Sequence, residues 1–383
     1  DIGGTFTDLV VSGDDGMFRT KKLLSTPDDY GRGIGEGLRY LMDEHAFAAD
    51  AIMRIVHATT VATNAILEAK GAKTALITTE GFRDVLEMRR LRIPEMYTLN
   101  YRKPDPLVPR RRRLEVVERL GPNGEVRVPL DQESVRVAAE RIASCDIEAV
   151  AISLLHAYAN PAHERRIAEI VRERVDPNVF ITCSSDILPV IREYERTSTT
   201  VINAYLGPTL KEYLSGLRRH LDGLGIAAPL QIMKSDGGIM SMDMAAARPA
   251  YLVESGPAAG VIGAAHATAG TDLADCISLD MGGTTAKASI VEGGAVAKTG
   301  DYEVGAGINL SSKLVMGGGY ALKLPVIDIS EIGAGGGSIV AVDAGGLMRV
   351  GPESAGADPG PAAYDMGGTS PTFTDAAVAL GYL

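Results

Sequence analysis

Along most of the chain, short apolar runs alternate with segments of helical periodicity, the pattern expected of α/β architecture. RIVHA (Arg54–Ala58) predicts a strand, Val61–Ala69 a helix and KTALIT (Lys73–Thr78) a second strand. From Asp131 the alternation becomes regular. A helix over Asp131–Ala143 leads to the strand EAVAISLL (Glu148–Leu155), and Asn160 caps a helix whose first position is Pro161, where a missing N–H costs nothing. NVFITC (Asn178–Cys183) returns as a strand, a long helical stretch covers Ile191–Leu224, and Leu230–Lys234 forms the next strand. LEVVERLGPNGEVRVPL (Leu114–Leu130) breaks the rhythm and predicts a β-hairpin around Gly121–Gly124, inserted after a loop rich in proline and arginine. Beyond Ala259 the pattern passes from a helix (Pro257–Ala269) to a strand (Cys276–Asp280) and then to a glycine-rich β region reaching Val350.

At 383 residues the chain exceeds the usual size of one core, so two domains are expected. The boundary is placed near Arg248–Ser255, giving a first domain over 1–250, with the inserted hairpin near 105–130, and a second over 251–383. A net charge of −11 argues against a nucleic-acid partner, which would need a basic face. The one basic run, Arg110–Arg113, lies among Pro104, Pro106 and Pro109 and reads as a solvated loop or a subunit contact. Three cysteines, Cys145, Cys183 and Cys276, make no disulfide framework. No apolar stretch approaches the ~20 residues of a membrane span and no signal peptide is visible, so no membrane association and a cytoplasmic location are expected. Glycine, at 44 residues, exceeds the typical ~7% and points to turns and close backbone approach.

Part of that glycine is spent twice in the same way: DIGGTFTD at Asp1–Asp8 has a near-copy, DMGGTTAK, at Asp280–Lys287. Gly3–Gly4 and Gly282–Gly283 let the backbone approach an anion and aim N–H groups at it. Thr5, Thr7, Thr284 and Thr285 supply hydroxyls, and Asp1, Asp8 and Asp280 offer oxygen ligands to a hydrated Mg²⁺. A single Gly-Gly turn between strands reads equally well as a hairpin with no ligand; the matched pair shifts the weight toward two phosphate-binding turns. No apolar strand leads into Asp1, so the sequence is expected to begin inside the first turn, and the second domain is expected to be truncated at its C-terminal end.

The paired turns resemble the phosphate-binding hairpins of the actin, hexokinase and heat-shock-chaperone superfamily. With HATTVATNAILE (His57–Glu68), GAKTALITTEGFRDVLE (Gly71–Glu87), SDGGIMS (Ser235–Ser241), ESGPAAGVIGA (Glu254–Ala264), EIGAGGGSI (Glu331–Ile339) and GPESAGADPGPAAY (Gly351–Tyr364), the sequence from Asp1 to about Asp375 resembles the hydantoinase A / 5-oxoprolinase family. The resemblance implies a two-domain actin/hexokinase-like ATPase fold, α/β in class, with ATP and Mg²⁺ in the interdomain cleft. It also implies ATP-dependent opening of a hydantoin, 5-oxoproline or related lactam, and a hydantoinase B-type partner subunit. The family also includes ATP-binding subunits of acetone and acetophenone carboxylases, so a ketone carboxylase is the alternative; a nucleotide-switched binding protein without catalysis is a third.

Within that frame Asp1 and Asp280 are expected at the metal. Gly3, Gly4, Thr5, Thr7, Gly282, Gly283, Thr284, Thr285 and Lys287 are expected at the phosphates, and Gly335, Gly336 and Gly337 under the adenosine or substrate. A solvated Lys287 and a plain glycine loop are the simpler readings of the last two features. Asp8, Asp236 and His57 are the catalytic candidates. Asp236 follows a strand, where α/β sheets build sites, and equally suits an Asp-Gly turn; His57 equally suits a buried imidazole. Ser255 reads first as a helix cap and second as a phosphate contact. The loop at Gly351–Tyr364 is expected to be shaped and free of regular structure, bordering the site or crossing between domains.

Overall fold

A computed structural model describes residues 1–3, 6–26, 29–90, 100–283, 285–305, 318–356 and 358–383. Its first hairpin pairs β1 (Phe6–Ser12) with β2 (Phe18–Leu24), Asp8 standing opposite Lys22. Helix α1 (Tyr30–His45), capped by Asp29, packs on the hairpin. The sequence reading assigned no element to this glycine-rich segment. Its glycines are there for approach: a Cβ on Gly37 would stand 2.5 Å from Leu9 Cδ1, and one on Gly31 3.3 Å from the Leu217 backbone.

After β3 (Ile55–His57) and α2 (Val61–Leu67), the chain builds a small α/β unit. β4 (Thr74–Thr79) leads through a short helix, α3 (Val85–Met88), to β5 (Arg113–Val116) and the hairpin β6 (Arg119–Leu120) and β7 (Val126–Val128). There follow α4 (Gln132–Ala143), β8 (Ala149–Ser153), α5 (Ala162–Arg172), β9 (Phe180–Cys183) and α6 (Ser184–Ile187). The four main strands form a parallel sheet in the order β5-β4-β8-β9. This corrects the inserted hairpin: Leu114–Val116 pairs in parallel with Ile77–Thr79, and only Arg119–Val128 forms the antiparallel loop. Leu114 and Val116 are buried in this unit's core, which a solvated hairpin strand would not require.

Helix α7 (Glu193–Gly223) runs 31 residues, about 46 Å at helical rise. Polar side chains line its buried first half: Thr199 Oγ1 accepts from Lys323 N–H at 2.9 Å, Asn203 Oδ1 accepts from Ala250 N–H at 3.1 Å, and the Thr197 and Ser153 hydroxyls lie 2.9 Å apart. β10 (Leu230–Met233) pairs in parallel with β3 and antiparallel with β11 (Ile239–Ser241), after which come α8 (Met242–Ala247) and α9 (Ser255–Thr268). One large apolar core joins α1, α2, α7 and this sheet.

The remaining chain is mostly β. β12 (Cys276–Met281) and β13 (Ala286–Glu292) form the second hairpin, flanked by β14 (Ala295–Val296), and β15 (Lys298–Thr299) follows. β16 (Tyr302–Val304) and β17 (Tyr320–Leu322) pair and return their apolar side chains to the large core, so packing between the halves is continuous across 250/251. β18 (Val326–Ile327) pairs with β15, and β19 (Ser330–Ile332) joins the far edge of β13. β20 (Ser338–Val342) and β21 (Met348–Ser354) precede α10 (Phe373–Ala379). Strand β21 takes in Gly351–Ser354 and a 3-10 turn takes in Ala362–Tyr364, so only the described residues between them in the segment expected to be free of regular structure are so. A smaller core, Ala258, Val261, Val291, Ile327 and Ile329, joins α9 to these strands.

Candidate phosphate-turn site

The two repeated motifs fold alike. In the first, Gly3 N–H donates to Phe6 O at 2.9 Å and Ile2 pairs with Thr7; in the second, Gly282 N–H donates to Thr285 O at 2.9 Å and Met281 pairs with Ala286. Position by position, Asp1 matches Asp280, Gly3 matches Gly282 and Asp8 matches Lys287. Gly4, Thr5 and Thr284 lie outside the described residues. The common register places Phe6 with Thr285 and Thr7 with Ala286, so the hydroxyls of Thr7 and Thr285 are not equivalent.

Each turn is held by its carbonyls. Ser25 Oγ donates to Gly3 O at 2.7 Å and lies 3.2 Å from the buried Thr7 hydroxyl. Gly336 N–H donates to Gly282 O at 2.9 Å, and Gly337 N–H to Gly283 O at 2.7 Å. Thr374 N–H and Ala355 N–H in turn donate to Gly336 O and Gly337 O at 2.8 Å each, and Gly335 N–H donates to Ser338 Oγ at 2.8 Å. The triple-glycine loop therefore buttresses the second turn, with its amides already engaged. Glycine is needed there because a Cβ on Gly337 would stand 3.0 Å from Gly283 O.

Helix α9 brings the two aspartates to one surface. A Cβ on Gly256 would lie 3.1 Å from Asp1 Oδ1, and a Cβ on Gly260 would lie 3.8 Å from Asp280 Oδ2. Four residues apart on a helix share a face, so Gly256 and Gly260 open one bare stripe toward both carboxylates. The alternation of β12 follows: Asp280 faces α9, while Ile277, Leu279 and Met281 point the other way and are exposed.

Lys287 stands opposite Asp280 on β12 and Glu331 on β19. Its Nζ lies 2.8 Å from Glu254 Oε2 and 3.6 Å from Glu331 Oε1. Burial disfavours its charge, but the two carboxylates outweigh this and hold the ammonium above the ordinary lysine range. Burial pushes Glu331 up, with Lys287 opposing. Its counterpart Asp8 is exposed and paired with Lys22 at 2.7 Å. The two hairpins thus carry rows Asp1–Asp8–Lys22 and Asp280–Lys287–Glu331, each with an excess of one carboxylate.

Among the described residues neither His57 nor Asp236 hydrogen-bonds to either turn. His57 is 4% exposed, with Nε2 2.6 Å from the Tyr213 hydroxyl on α7. Burial, assisted by the nearby N-terminal ammonium, depresses its pKa to about 3, so the ring is neutral. Asp236 closes the β10–β11 turn, accepting from Gly238 N–H at 2.9 Å and pairing with Lys234 at 3.0 Å. Partial burial works to raise its pKa, but these donors outweigh it and hold the carboxyl below the usual range. The adjacent Gly237 abuts Ile262, which lies two residues beyond Gly260 and so on the other side of α9. Sequence reasoning missed Gly256, Gly260, Glu254 and Ser25 as parts of the site; the four-residue glycine spacing in ESGPAAG was the available signal for the first two.

Among the described residues no helix is long and apolar enough to cross a membrane, and no group of three or more His, Cys, Asp or Glu side chains is arranged to hold a metal ion.

Comparison with known proteins agrees with this architecture. A protein of Methanocaldococcus jannaschii without assigned function is 44% identical over all of this chain and 56% of its own length. The caprolactamase subunit alpha of Pseudomonas jessenii is 34% identical over all of this chain and 54% of its own. Among solved structures, nucleotide-free acetone carboxylase, described as carrying out ATP-dependent acetone carboxylation, superposes with a TM-score of 0.84 at 28% identity, covering 99% of this chain and 54% of that one. The ATP-dependent caprolactamase of Pseudomonas jessenii superposes with a TM-score of 0.81 at 33% identity, covering 100% and 54%. The chain thus spans about half the length of the relatives it matches. The model of the hydantoinase/oxoprolinase N-terminal region matches residues 1–175 and that of hydantoinase/oxoprolinase matches 196–383. With these two models matching nearly its whole length and a mixed α/β fold shared with both enzymes, this chain belongs to the hydantoinase/oxoprolinase family.

Proposed function

We propose that this chain is the nucleotide-handling part of an ATP-dependent enzyme that opens a cyclic amide, working with a hydantoinase B-type subunit. The observation that carries the reading is the pair of turns in identical register whose aspartates face one glycine stripe on α9. Two such turns bracket the phosphates of one nucleotide, each offering backbone N–H groups in a concave nest. The caprolactamase relative supplies the substrate class, a lactam.

The residues fit a hydrated Mg²⁺ in company with phosphates. Mg²⁺ takes one or two carboxylates and completes its shell with water and phosphate oxygens, and Asp1 and Asp280 would provide those two. ATP, when bound, supplies the phosphoryl group that turns the amide carbonyl oxygen into a leaving group. The chain's own part is to position. Amides of Gly4 and Gly283 and hydroxyls of Thr5, Thr284 and Thr285 hold and orient the phosphate oxygens, those of Gly3 and Gly282 close the turns, and Gly335–Gly337 keep the second turn in place. Water then adds to the activated carbonyl carbon and the C–N bond breaks with the nitrogen taking a proton, leaving an acyl phosphate; a second water hydrolyses this to the carboxylate and inorganic phosphate. Asp8, across the hairpin from Asp1 and paired with Lys22, is the third aspartate of the turns. His57 and Asp236 serve the fold in this reading.

The match to acetone carboxylase favours a second reading, in which the same cleft phosphorylates an enol and bicarbonate. Phosphate release, measured on the protein with its partner subunit, distinguishes them: caprolactam, hydantoin or 5-oxoproline should accelerate it under the first, acetone plus bicarbonate under the second. Asp1→Ala and Asp280→Ala should each abolish Mg²⁺-ATP binding while the far-ultraviolet circular dichroism stays unchanged. Unaltered nucleotide affinity in both variants refutes the paired-turn site.

A further inference from the structure

The turns are joined by a short path of buried groups that the proposed chemistry does not use. Thr60 N–H donates to Ile2 O, inside the first turn, at 3.0 Å. Next door, Ser255 Oγ donates to Thr59 O at 2.8 Å and accepts from Thr59 N–H at 3.3 Å. Glu254 N–H donates to Thr63 Oγ1 of α2 at 3.0 Å, and its carboxylate reaches Lys287, just past the second turn. Thr59, Ser255 and Glu254 are all buried. The HATT and ESG motifs therefore meet each other, and through Lys287 they meet DMGGTTAK.

Three features mark the Glu254–Lys287 pair as built. Its side chains are 4% and 10% exposed, so it is not the solvated surface pair whose contribution is slight. Among the described residues Glu254 Oε1 is buried and meets no hydrogen-bond partner, a state that native proteins seldom leave without a purpose. The Glu254 backbone is left-handed, with φ at 63°, a conformation a glutamate keeps only where its surroundings over-determine it. A residue needed only to open α9 would require none of these.

We infer that the Glu254–Lys287 ion pair, seated through Ser255 on Thr59, is the joint that fixes the two phosphate turns at one spacing. Lys287 is then a positioning residue: its charge is spent on Glu254 and Glu331 and not on a phosphate. The inference rests on the proposed nucleotide site and changes the role of Lys287 within it.

The opposite assignment, Lys287 as a direct phosphate contact restrained by Glu254, predicts the opposite effect of Glu254→Gln. Removing the restraint would free a cation and tighten nucleotide binding. The joint predicts loosening. Titration of the full-length protein with Mg²⁺ and a non-hydrolysable ATP analogue should show Glu254→Gln and Lys287→Met each weakening affinity about tenfold, with the double variant no weaker than either single one. Lys287→Arg should recover most of the loss. Tighter binding in Glu254→Gln, or losses that multiply in the double variant, overturns the inference. Urea unfolding without nucleotide gives an independent cycle: positions 254 and 287 should be coupled there too, and additive effects overturn the joint. A wild-type protein that binds no nucleotide would count against the site, while the unfolding cycle still decides the joint.

Discussion

Gly256 and Gly260 offer a matched pair of perturbations on one helix face. Both become alanine with one added methyl, and glycine within a helix costs about 1 kcal/mol relative to alanine. At 260 the new Cβ would find, among the described residues, only Asp280 Oδ2, at 3.8 Å, an ordinary contact. Gly260→Ala should therefore realise about 0.4–1 kcal/mol of stabilisation, chiefly by restricting the unfolded chain, and raise the melting temperature by about 0.5–1 °C in a chain of this length. At 256 the Cβ would stand 3.1 Å from Asp1 Oδ1 and 3.2 Å from Thr60 Cγ2, both tighter than ordinary contacts. One of them must yield by a few tenths of an ångström, and Thr60 is tied to Ile2 by the 3.0 Å bond from its amide. The carboxylate of Asp1 is the group that moves. Gly256→Ala should then show no net stabilisation and a loss of Mg²⁺-nucleotide affinity of roughly tenfold, about 1.4 kcal/mol. Differential scanning fluorimetry and nucleotide titration on the two variants test this together. If Gly256→Ala binds nucleotide as the wild type does while Gly260→Ala does not, the placement of the first turn against α9 is wrong.

Two further outcomes follow from groups described above. His57 has its pKa lowered to about 3, below the ordinary 6.5, so the unfolded chain takes up the proton first. The associated stability is complete above about pH 6.5 and is lost as pH falls toward 3, amounting to about 2 kcal/mol at pH 5. Urea midpoints at pH 7.5 and pH 5 should show this extra loss in the wild type and not in His57→Gln; equal losses would disprove it. In the triple-glycine segment, Gly337→Ala would drive a Cβ to 3.0 Å from Gly283 O and 2.9 Å from Ser354 Oγ, and should weaken nucleotide binding by displacing the second turn. Gly333→Ala, whose Cβ meets nothing within 4 Å among the described residues, should leave binding unchanged, and equal effects at 333 and 337 would contradict the buttress.

The alternating pattern was enough to place β3, α2, β4, α4, β8, β9, α7 and α9 within a few residues, because each buries a face whose period is written locally. Helix α1 escaped because four of its sixteen residues are glycine, a poor helix composition that tertiary contact with Leu9 and the α7 backbone overrides. Leu114–Val116 was misread for a related reason: nothing in an apolar run beside a turn says whether its partner lies next in sequence or in a parallel strand some forty residues earlier. The turns themselves were legible as repeats. What surrounds them was not, since Ser25 on Gly3 O, Gly336 on Gly282 O and Glu254 on Lys287 are pairings made by the fold between distant segments. Lys287 and Asp8, so different as letters, proved to be the same position in the two hairpins.

The polar row along the first half of α7 also bears on how the molecule comes together. Thr197, Asn203 and Thr199 take partners 44, 47 and 124 residues away, at Ser153, Ala250 and Lys323. Until those segments arrive, each hydroxyl and amide keeps its water, and burying the helix would leave them unsatisfied. A helix that can nucleate early by its own local contacts must therefore wait for the longest of these closures, and contacts of such separation are the slow ones to form. Of these closures, the one that brings Lys323, just past the β16–β17 hairpin, to α7 spans the longest stretch of chain.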